Sequence, residues 1–371
     1  MRDTALHRRI LDDFYHEQEH YALSISYRHG MLRTVFVLAR SLIFSKRPRE
    51  PEMVRDGEVV AVAFFENELA AVKRAESSIA IDRILKFDLR SLSVVRAQLG
   101  WACMLAELLY FLKMTLRVKG LGYLPRSSIP ALGWLLYRAF QHMLAGRSGV
   151  TLLTTNMVHA TSAAVTYAAV GAGQSAIFYE HATTTQIIMK NRGYARLFVN
   201  FHHTRALLAA NGFDERHIEV LHPPLGQAVT ALSSQIRTAA FCINTYDALE
   251  SVADVVQVLK GQGLSVIVRI HDADPRVDEV RAMSRQLGFE VDLARTSRIQ
   301  DFFERIGLVV TGNSNVIADA LIARRPVIYY WAGVADLFDY YGFVRHHQLA
   351  HATRRDDLQR LIEELLDSVS C

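Results

Sequence analysis

With 371 residues, half of them apolar and 22% charged, the chain is too apolar to be disordered and long enough for two cores. A formal charge of +4 is only mildly basic: it suits nucleotide phosphates or an anionic membrane surface as well as a nucleic acid, and no nucleic-acid partner is expected. Three cysteines, Cys103, Cys242 and Cys371, without metal-ligand spacing, argue against a disulfide scaffold and for a reducing compartment.

The opening stretch MRDTALHRRILDDFYHEQEH is charged throughout and does not read as a signal peptide. Residues 31–49, MLRTVFVLARSLIFSKRPR, carry apolar residues at helical spacing together with Arg33, Arg40, Lys46, Arg47 and Arg49. They read either as a packing helix with a solvated basic end or as a helix lying on an anionic membrane. A strand is expected over 58–65 (EVVAVAFF), a short one at SIAI (78–81), then helices near 91–118 and 130–145. LGWACMLAELLYFLKMTL (99–116) comes closest to a membrane span, but Glu107 and Lys113 interrupt it. A core helix is the expectation there and an interfacial helix the alternative; with 31–49 it suggests a cytoplasmic protein held peripherally on the inner face of a membrane.

From residue 149 the pattern becomes regular. GVTLLTT, SAIFYE, RLFVNF and IEVLHPP read as strands, with helices at ATSAAVTYAAVGAG and HTRALLAANGF between them. The two prolines and polar residues of 223–238 read as a linker. A second alternating series follows: strands at AAFCIN, LSVIVRI, FEVDLA, GLVVTG and PVIYYW, helices at 247–261, near 276–287 and at SNVIADALIARR, and an amphipathic helix at the carboxyl end. Such alternation predicts an α/β chain of two doubly wound Rossmann-like domains, 1–222 and 239–371, facing a cleft.

In doubly wound sheets ligands bind beyond the carboxyl ends of the strands. The residues standing there are Asn156 and His159, Glu180 and His181, His202 and His203 in the first series, and Asn244 and Thr245, Arg269 and His271, and Gly312, Asn313, Ser314 and Asn315 in the second. In FYEHATTTQ, Glu180 and His181 are an adjacent acid and imidazole, a combination suited to general-base work near neutral pH. Adjacent strand residues point to opposite faces, so only one of the two need face a ligand, and His181 has the alternative of capping a turn. In VVTGNSNVIADAL a strand runs through Thr311-Gly312 into a helix beginning at Asn313 or Ser314, an arrangement suited to phosphate, with an ordinary serine cap as the compatible alternative. Asp272 and Asp274 form a D-x-D that reads as a turn more readily than as a metal site.

Three of these stretches resemble glycosyltransferases of the GT-B fold, in particular the bacterial branch that builds capsule and surface polysaccharides, including polysialyltransferase-like, Kdo-transferase-like and CDP-glycerol glycerophosphotransferase-like enzymes. FYEHATTTQ resembles their strand ending in a base-bearing histidine loop, LSVIVRIHDADP their strand ending near the donor phosphate, and GLVVTGNSNVIADALIARRPVIYY their phosphate helix and following strand. The resemblance covers about 150–345. It departs from the pattern at Ala182, at the spacing between His271 and Pro275, and where asparagine follows a single serine.

The resemblance implies a metal-independent transferase with no cofactor, taking a sugar from a CMP- or UDP-linked donor to a hydroxyl of a glycan or glycolipid acceptor. His181 would accept the proton, with Glu180 as support or substitute. Asn244, Thr245, Arg269, His271, Gly312, Asn313, Ser314 and Asn315 would hold the donor, and Asn156, His159 and Thr183 the acceptor. A sugar-nucleotide epimerase of the same fold and a non-catalytic membrane-associated scaffold are the alternatives.

Overall fold

The computed structural model describes residues 4–21, 54–87, 93–120, 122–123, 128–157, 159–180, 190–222, 237–244, 247–271, 274–294, 296–333, 338–339, 341–347 and 349–370. Contacts divide the chain into two compact units, Met1–Leu221 and His222–Cys371. Residues 31–49, His181, Thr183, Thr245, Asp272 and most of the expected linker lie outside the described residues.

The first unit runs α1 (Thr4–Tyr21), β1 (Val59–Ala63), α2 (Glu66–Ala75), β2 (Arg83–Lys86), α3 (Ser93–Val118), α4 (Ser128–Leu144), β3 (Thr151–Thr154), α5 (Ala160–Gly171), β4 (Ser175–Tyr179), β5 (Arg196–Val199), α6 (His202–Ala210) and β6 (Ile218–Val220). Its six strands are all parallel, in the order β2-β1-β3-β4-β5-β6. The chain winds outward from β1 to one side and from β3 to the other, so the topological switch lies between these neighbours. Helices cover both faces of the sheet, which is why strands such as VVAVA are apolar without alternation. α5 is buried along nearly its whole length, and its alanines let α4 approach closely: a Cβ on Gly133 would stand 3.2 Å from that of Ala160.

The charged amino-terminal stretch is an integral helix. Ile10, Leu11, Phe14 and Tyr15 of α1 are fully buried. Asp13 is tied to Arg192 (2.5 Å) and Lys190 (3.2 Å) and accepts from the Tyr167 hydroxyl (2.9 Å). Burial works against the ionised Asp13, but Arg192 and Lys190 outweigh it and hold its carboxyl below the usual range. The short strand expected at 78–81 is a turn; the strand falls at Arg83–Lys86, where the chain first lies alongside β1.

Gly100, with φ 67° and ψ 167°, breaks α3 near its start. Among the described residues Val95–Val118 is long and apolar enough to cross a bilayer by length and composition. The uninterrupted stretch after Gly100 spans only about 27 Å, against ~30 Å of hydrocarbon. The helix turns its charge inward: Glu107 is buried, accepts from Trp134 Nε1 (3.2 Å) and pairs with Arg138 (3.2 Å). Leu105, Leu109 and Leu116 face outward, 58%, 59% and 43% exposed, with Lys113 and Arg117 exposed beside them.

The second unit runs β7 (Thr238–Cys242), α7 (Leu249–Gly261), β8 (Ser265–Ile270), α8 (Val277–Leu287), β9 (Glu290–Leu293), α9 (Ile299–Glu304), β10 (Leu308–Thr311), α10 (Val316–Ile322), β11 (Val327–Tyr330), α11 (Phe343–His347), β12 (Ala350–Ala352) and α12 (Arg355–Ser370). β7 thus starts one residue inside the expected linker. The sheet is again all parallel, in the order β12-β11-β10-β7-β8-β9, with its switch between β7 and β10. The apolar face of α7 packs on this sheet, with Val252, Val255, Val256 and Leu259 fully buried.

Candidate functional site

In the second unit the loops leaving β7 and β10 are tied together. Asn244 Nδ2 donates to the Asn313 carbonyl (2.8 Å), and Thr311 Oγ1 donates to the Cys242 carbonyl (2.7 Å). Asp247 folds the first loop back, its Oδ2 accepting from the Asn244 amide (2.8 Å). Arg276, from just before α8, donates to the Asn244 carbonyl (2.6 Å) and to the Asp247 carbonyl, and is itself held by Asp274 (2.6 Å). Asn313 is fixed from β11, its Oδ1 accepting from the Tyr329 hydroxyl (2.9 Å). Gly312 leaves no space for a side chain: a Cβ there would stand 2.9 Å from Asp247 Oδ1, 3.0 Å from Trp331 Cε3 and 3.1 Å from the Tyr330 carbonyl.

Burial pushes the Asp247 carboxyl up to about 6, against the opposing pull of the Asn244 amide and Arg276. Asp274 goes the other way, its carboxyl held low by Arg276. That ion pair gives Asp274 of the D-x-D a structural partner. Ser314 caps the turn that starts α10, its Oγ accepting from the Val316 amide (3.2 Å), and Asn315 already has a helical backbone (φ −65°, ψ −14°). Asp247 and Arg276 were not among the strand-end candidates, yet they shape the loop that carries Asn244.

Arg269 was expected at the donor phosphate, but it is directed elsewhere. It is buried within β8, pairs with Asp292 of β9, donates to Ser297 Oγ (2.6 Å) and stacks 4.5 Å over the Phe302 ring. Its guanidinium thus joins β8, β9 and α9. The next residue whose side chain points the same way, His271, lies beyond the strand end and is exposed.

In the first unit Glu180 is also a structural carboxylate. It is fully buried, its Oε2 accepts from the Asn200 amide (2.6 Å) and its Oε1 from the Thr204 hydroxyl (3.4 Å). It therefore organises the turn from β5 into α6, whereas the resemblance gave it the role of support or substitute for the proton-accepting His181. His203 in the same turn is buried and stacked on Phe201, 5.5 Å between ring centres.

At the switch between β1 and β3 in this unit, a buried acid lies within electrostatic reach of an imidazole. Glu68, in the first turn of α2, is 1% exposed, and its Oε2 accepts from the Phe64 amide at the end of β1 (2.7 Å). Its Oε1 has no hydrogen-bond partner among the described residues. Burial raises the Glu68 carboxyl above its usual range, while the Phe64 amide, the charge of His159, the Phe65 amide and hydrogen bonding from the Asn156 side chain act in the opposite direction. Asn156, buried at the end of β3, accepts from the His159 amide through Oδ1 (3.1 Å), which fixes the entry into α5. The His159 ring lies against Phe65, 5.5 Å between centres, and Phe65 is 42% exposed. Thr154 Oγ1 at the end of β3 and Thr161 Oγ1 in the first turn of α5 are likewise buried without partners among the described residues.

No protein-family model and no curated protein matches the chain. Solved structures match it throughout most of its length. A UDP-N-acetylglucosamine 2-epimerase superposes with a TM-score of 0.53 at 12% identity, over 85% of this chain and 90% of that one. The S. aureus MnaA–UDP co-structure gives 0.52 at 11%, over 84% and 88%. Acinetobacter baumannii MurG gives 0.49 at 10%, over 84% and 92%. The likeness is one of fold: the chain is built from two Rossmann-like domains of the GT-B type.

Proposed function

We propose that the protein is a glycosyltransferase that moves a sugar from a nucleotide-activated donor, CMP- or UDP-linked, to a hydroxyl of a surface glycan or glycolipid, without a metal. The observation that carries this reading is the tied switch point of the second unit. Asn244 and Asn313 tie two backbone loops together at the edge where doubly wound sheets take their ligands, and at Gly312 these loops pack too closely to admit a side chain. Thr245, His271, Ser314 and Asn315 belong to the same strand-end set in this reading; Arg269 supports it from behind. A UDP-bound relative in fold accords with a nucleotide ligand. A histidine of the first unit accepts the hydroxyl proton, with His181 and Thr183, or Asn156 and His159, as the candidates.

A thermal-shift panel of CMP, CDP, UDP and GDP tests the donor site. Linkage gives ~3 kcal/mol of stabilisation at 100 times the dissociation constant. If none of the four shifts the melting temperature, the reading is withdrawn. The epimerase alternative is favoured by the two highest TM-scores above. It is separated by incubation with UDP-N-acetylglucosamine alone: a product inverted at carbon 2, or UDP released with no acceptor, decides for the epimerase.

The acceptor reading includes contact with an anionic membrane surface at the cytoplasmic face. Leu105, Leu109 and Leu116 form one apolar stripe on α3, and Lys113 and Arg117 beside it complement acidic headgroups. The protein should float with phosphatidylglycerol vesicles at low salt, and the double variant Leu105→Glu/Leu109→Glu should stay behind. Equal behaviour of the two proteins removes the stripe from consideration.

A further inference from the structure

The switch between β1 and β3 holds a buried carboxylate that folding alone does not explain. A carboxylate as deeply buried as that of Glu68 is costly unless its oxygens are satisfied. One oxygen accepts from the Phe64 amide; the other makes no hydrogen bond of ordinary geometry among the described residues, although the Phe65 amide and the Asn156 side chain lie near enough to favour the charged form. Glu180, also buried in this unit, has both oxygens accepting hydrogen bonds. Glu68 stands at the topological switch, the edge at which doubly wound sheets bind ligands. The backbone of His159 is fixed by Asn156 and its ring lies against Phe65, whose exposed face offers an apolar platform of the kind that packs against the C–H face of a sugar ring.

We propose that Phe65, Glu68, Asn156 and His159 form the acceptor subsite, with His159 taking the proton of the attacking hydroxyl and Glu68 positioning it. This rests on the glycosyltransferase reading above and adds to it the residues that receive the acceptor. The acceptor O–H proton passes to a ring nitrogen of His159 as the oxygen bonds to the anomeric carbon. The bond from that carbon to the phosphate oxygen breaks, and its electron pair leaves with the nucleotide. The charge that forms on the imidazole is stabilised by the Glu68 carboxylate, and no further reactant is consumed. Phe65 and Asn156 bind the sugar that carries the hydroxyl.

The test uses the full-length chain, the sugar nucleotide of whichever base stabilises it in the panel above, and an extract of bacterial surface glycans and glycolipids as acceptor; nucleotide release is measured. His159→Gln and Glu68→Gln should each lower turnover about 100-fold, the scale of a lost general base. Both should leave calorimetric nucleotide binding unchanged. Glu68→Gln should also keep or raise the melting temperature, because a strained buried charge is replaced by a neutral isostere. A carboxylate with a purely structural role would lose stability and keep its turnover, and that pattern overturns the proposal. Phe65→Ala, on the surface and safe for folding, should raise the acceptor KM several-fold at constant kcat. Wild-type turnover in both His159→Gln and Glu68→Gln, with loss in His181→Ala, moves the base to the loop after β4 and also overturns the proposal. If the wild-type chain binds nucleotide but releases none on addition of extract, the transferase reading itself fails, and this inference with it.

Discussion

In the second unit the loops after β7 and β10 are bound to each other through Asn244 and Asn313 and braced by Arg276. In the first unit Glu68, just after β1, keeps one oxygen without an ordinary hydrogen bond, and the hydroxyls of Thr154 at the end of β3 and Thr161 in α5 likewise lack one among the described residues. Both edges come from the same parallel, doubly wound topology. In the reading proposed above, the difference separates two tasks. A surface that recognises a fixed group gains from loops already held in the bound geometry, since nothing need reorganise on binding. A histidine that accepts a proton gains from a nearby carboxylate whose bonding is incomplete, and the fold tolerates the cost because packing elsewhere holds it.

The largest test of this contrast is at Arg269. If it is a brace behind the second edge, Arg269→Ala leaves Asp292 buried without its cation and should cost about 3–5 kcal/mol in urea unfolding. Nucleotide affinity, measured on the folded fraction, should be unchanged. A variant with unaltered stability and weakened nucleotide binding would return Arg269 to the ligand.

Asp247 sharpens the comparison through pH. Its carboxyl is raised to about 6 in the folded chain from an ordinary 3.8, mainly by burial. The folded state therefore holds the proton that the unfolded state has already lost, and stability falls as pH rises from about 4 to 6. The decline at this site should total about 3 kcal/mol. Asp247→Asn, which can still accept from the Asn244 amide, should flatten that part of the stability profile. An identical slope in the variant would show that the carboxyl titrates normally.

Gly312→Ala probes the tightness of the second edge. The added Cβ meets a carboxylate, an indole and a backbone carbonyl at 2.9–3.1 Å, so the loops must give way. We expect a loss of about 1–3 kcal/mol in stability and weaker nucleotide binding. No change in either would mean that the loops are not rigid.

The smallest effect is expected at Glu180. Glu180→Gln keeps an acceptor for the Asn200 amide, so it should cost only about 1 kcal/mol and leave turnover near that of the parent chain. A large loss of turnover with intact stability would restore Glu180 to the chemistry and weaken the distinction between a bonded and an open carboxylate.

The alternation of apolar strands and helices was legible because each local run carries its own period. The strand-end rule put Asn244, Gly312, Asn313, Asn156 and His159 at the carboxyl edges where the structure has them, since a strand's carboxyl end can be located from the run itself. It missed Glu68, one turn into a helix whose opening, ENELAAVKRA, has the composition of an ordinary solvated surface. It placed Arg269 and Glu180 at ligands because their partners, Asp292 and Asn200, lie 23 and 20 residues further along.

By itself the sequence determined the class of fold: the period of its apolar residues sets strand or helix, and repeated strand–helix units admit little besides parallel sheets. Only the tertiary structure decided which carboxylates are bonded and which are open. Satisfying a buried oxygen is a matter of two or three ångströms between residues far apart in the chain, and no local pattern encodes that distance. The same holds for α3, where composition announces an apolar helix, and only packing turns Glu107 inward onto Arg138 and leaves Leu105 and Leu109 outside.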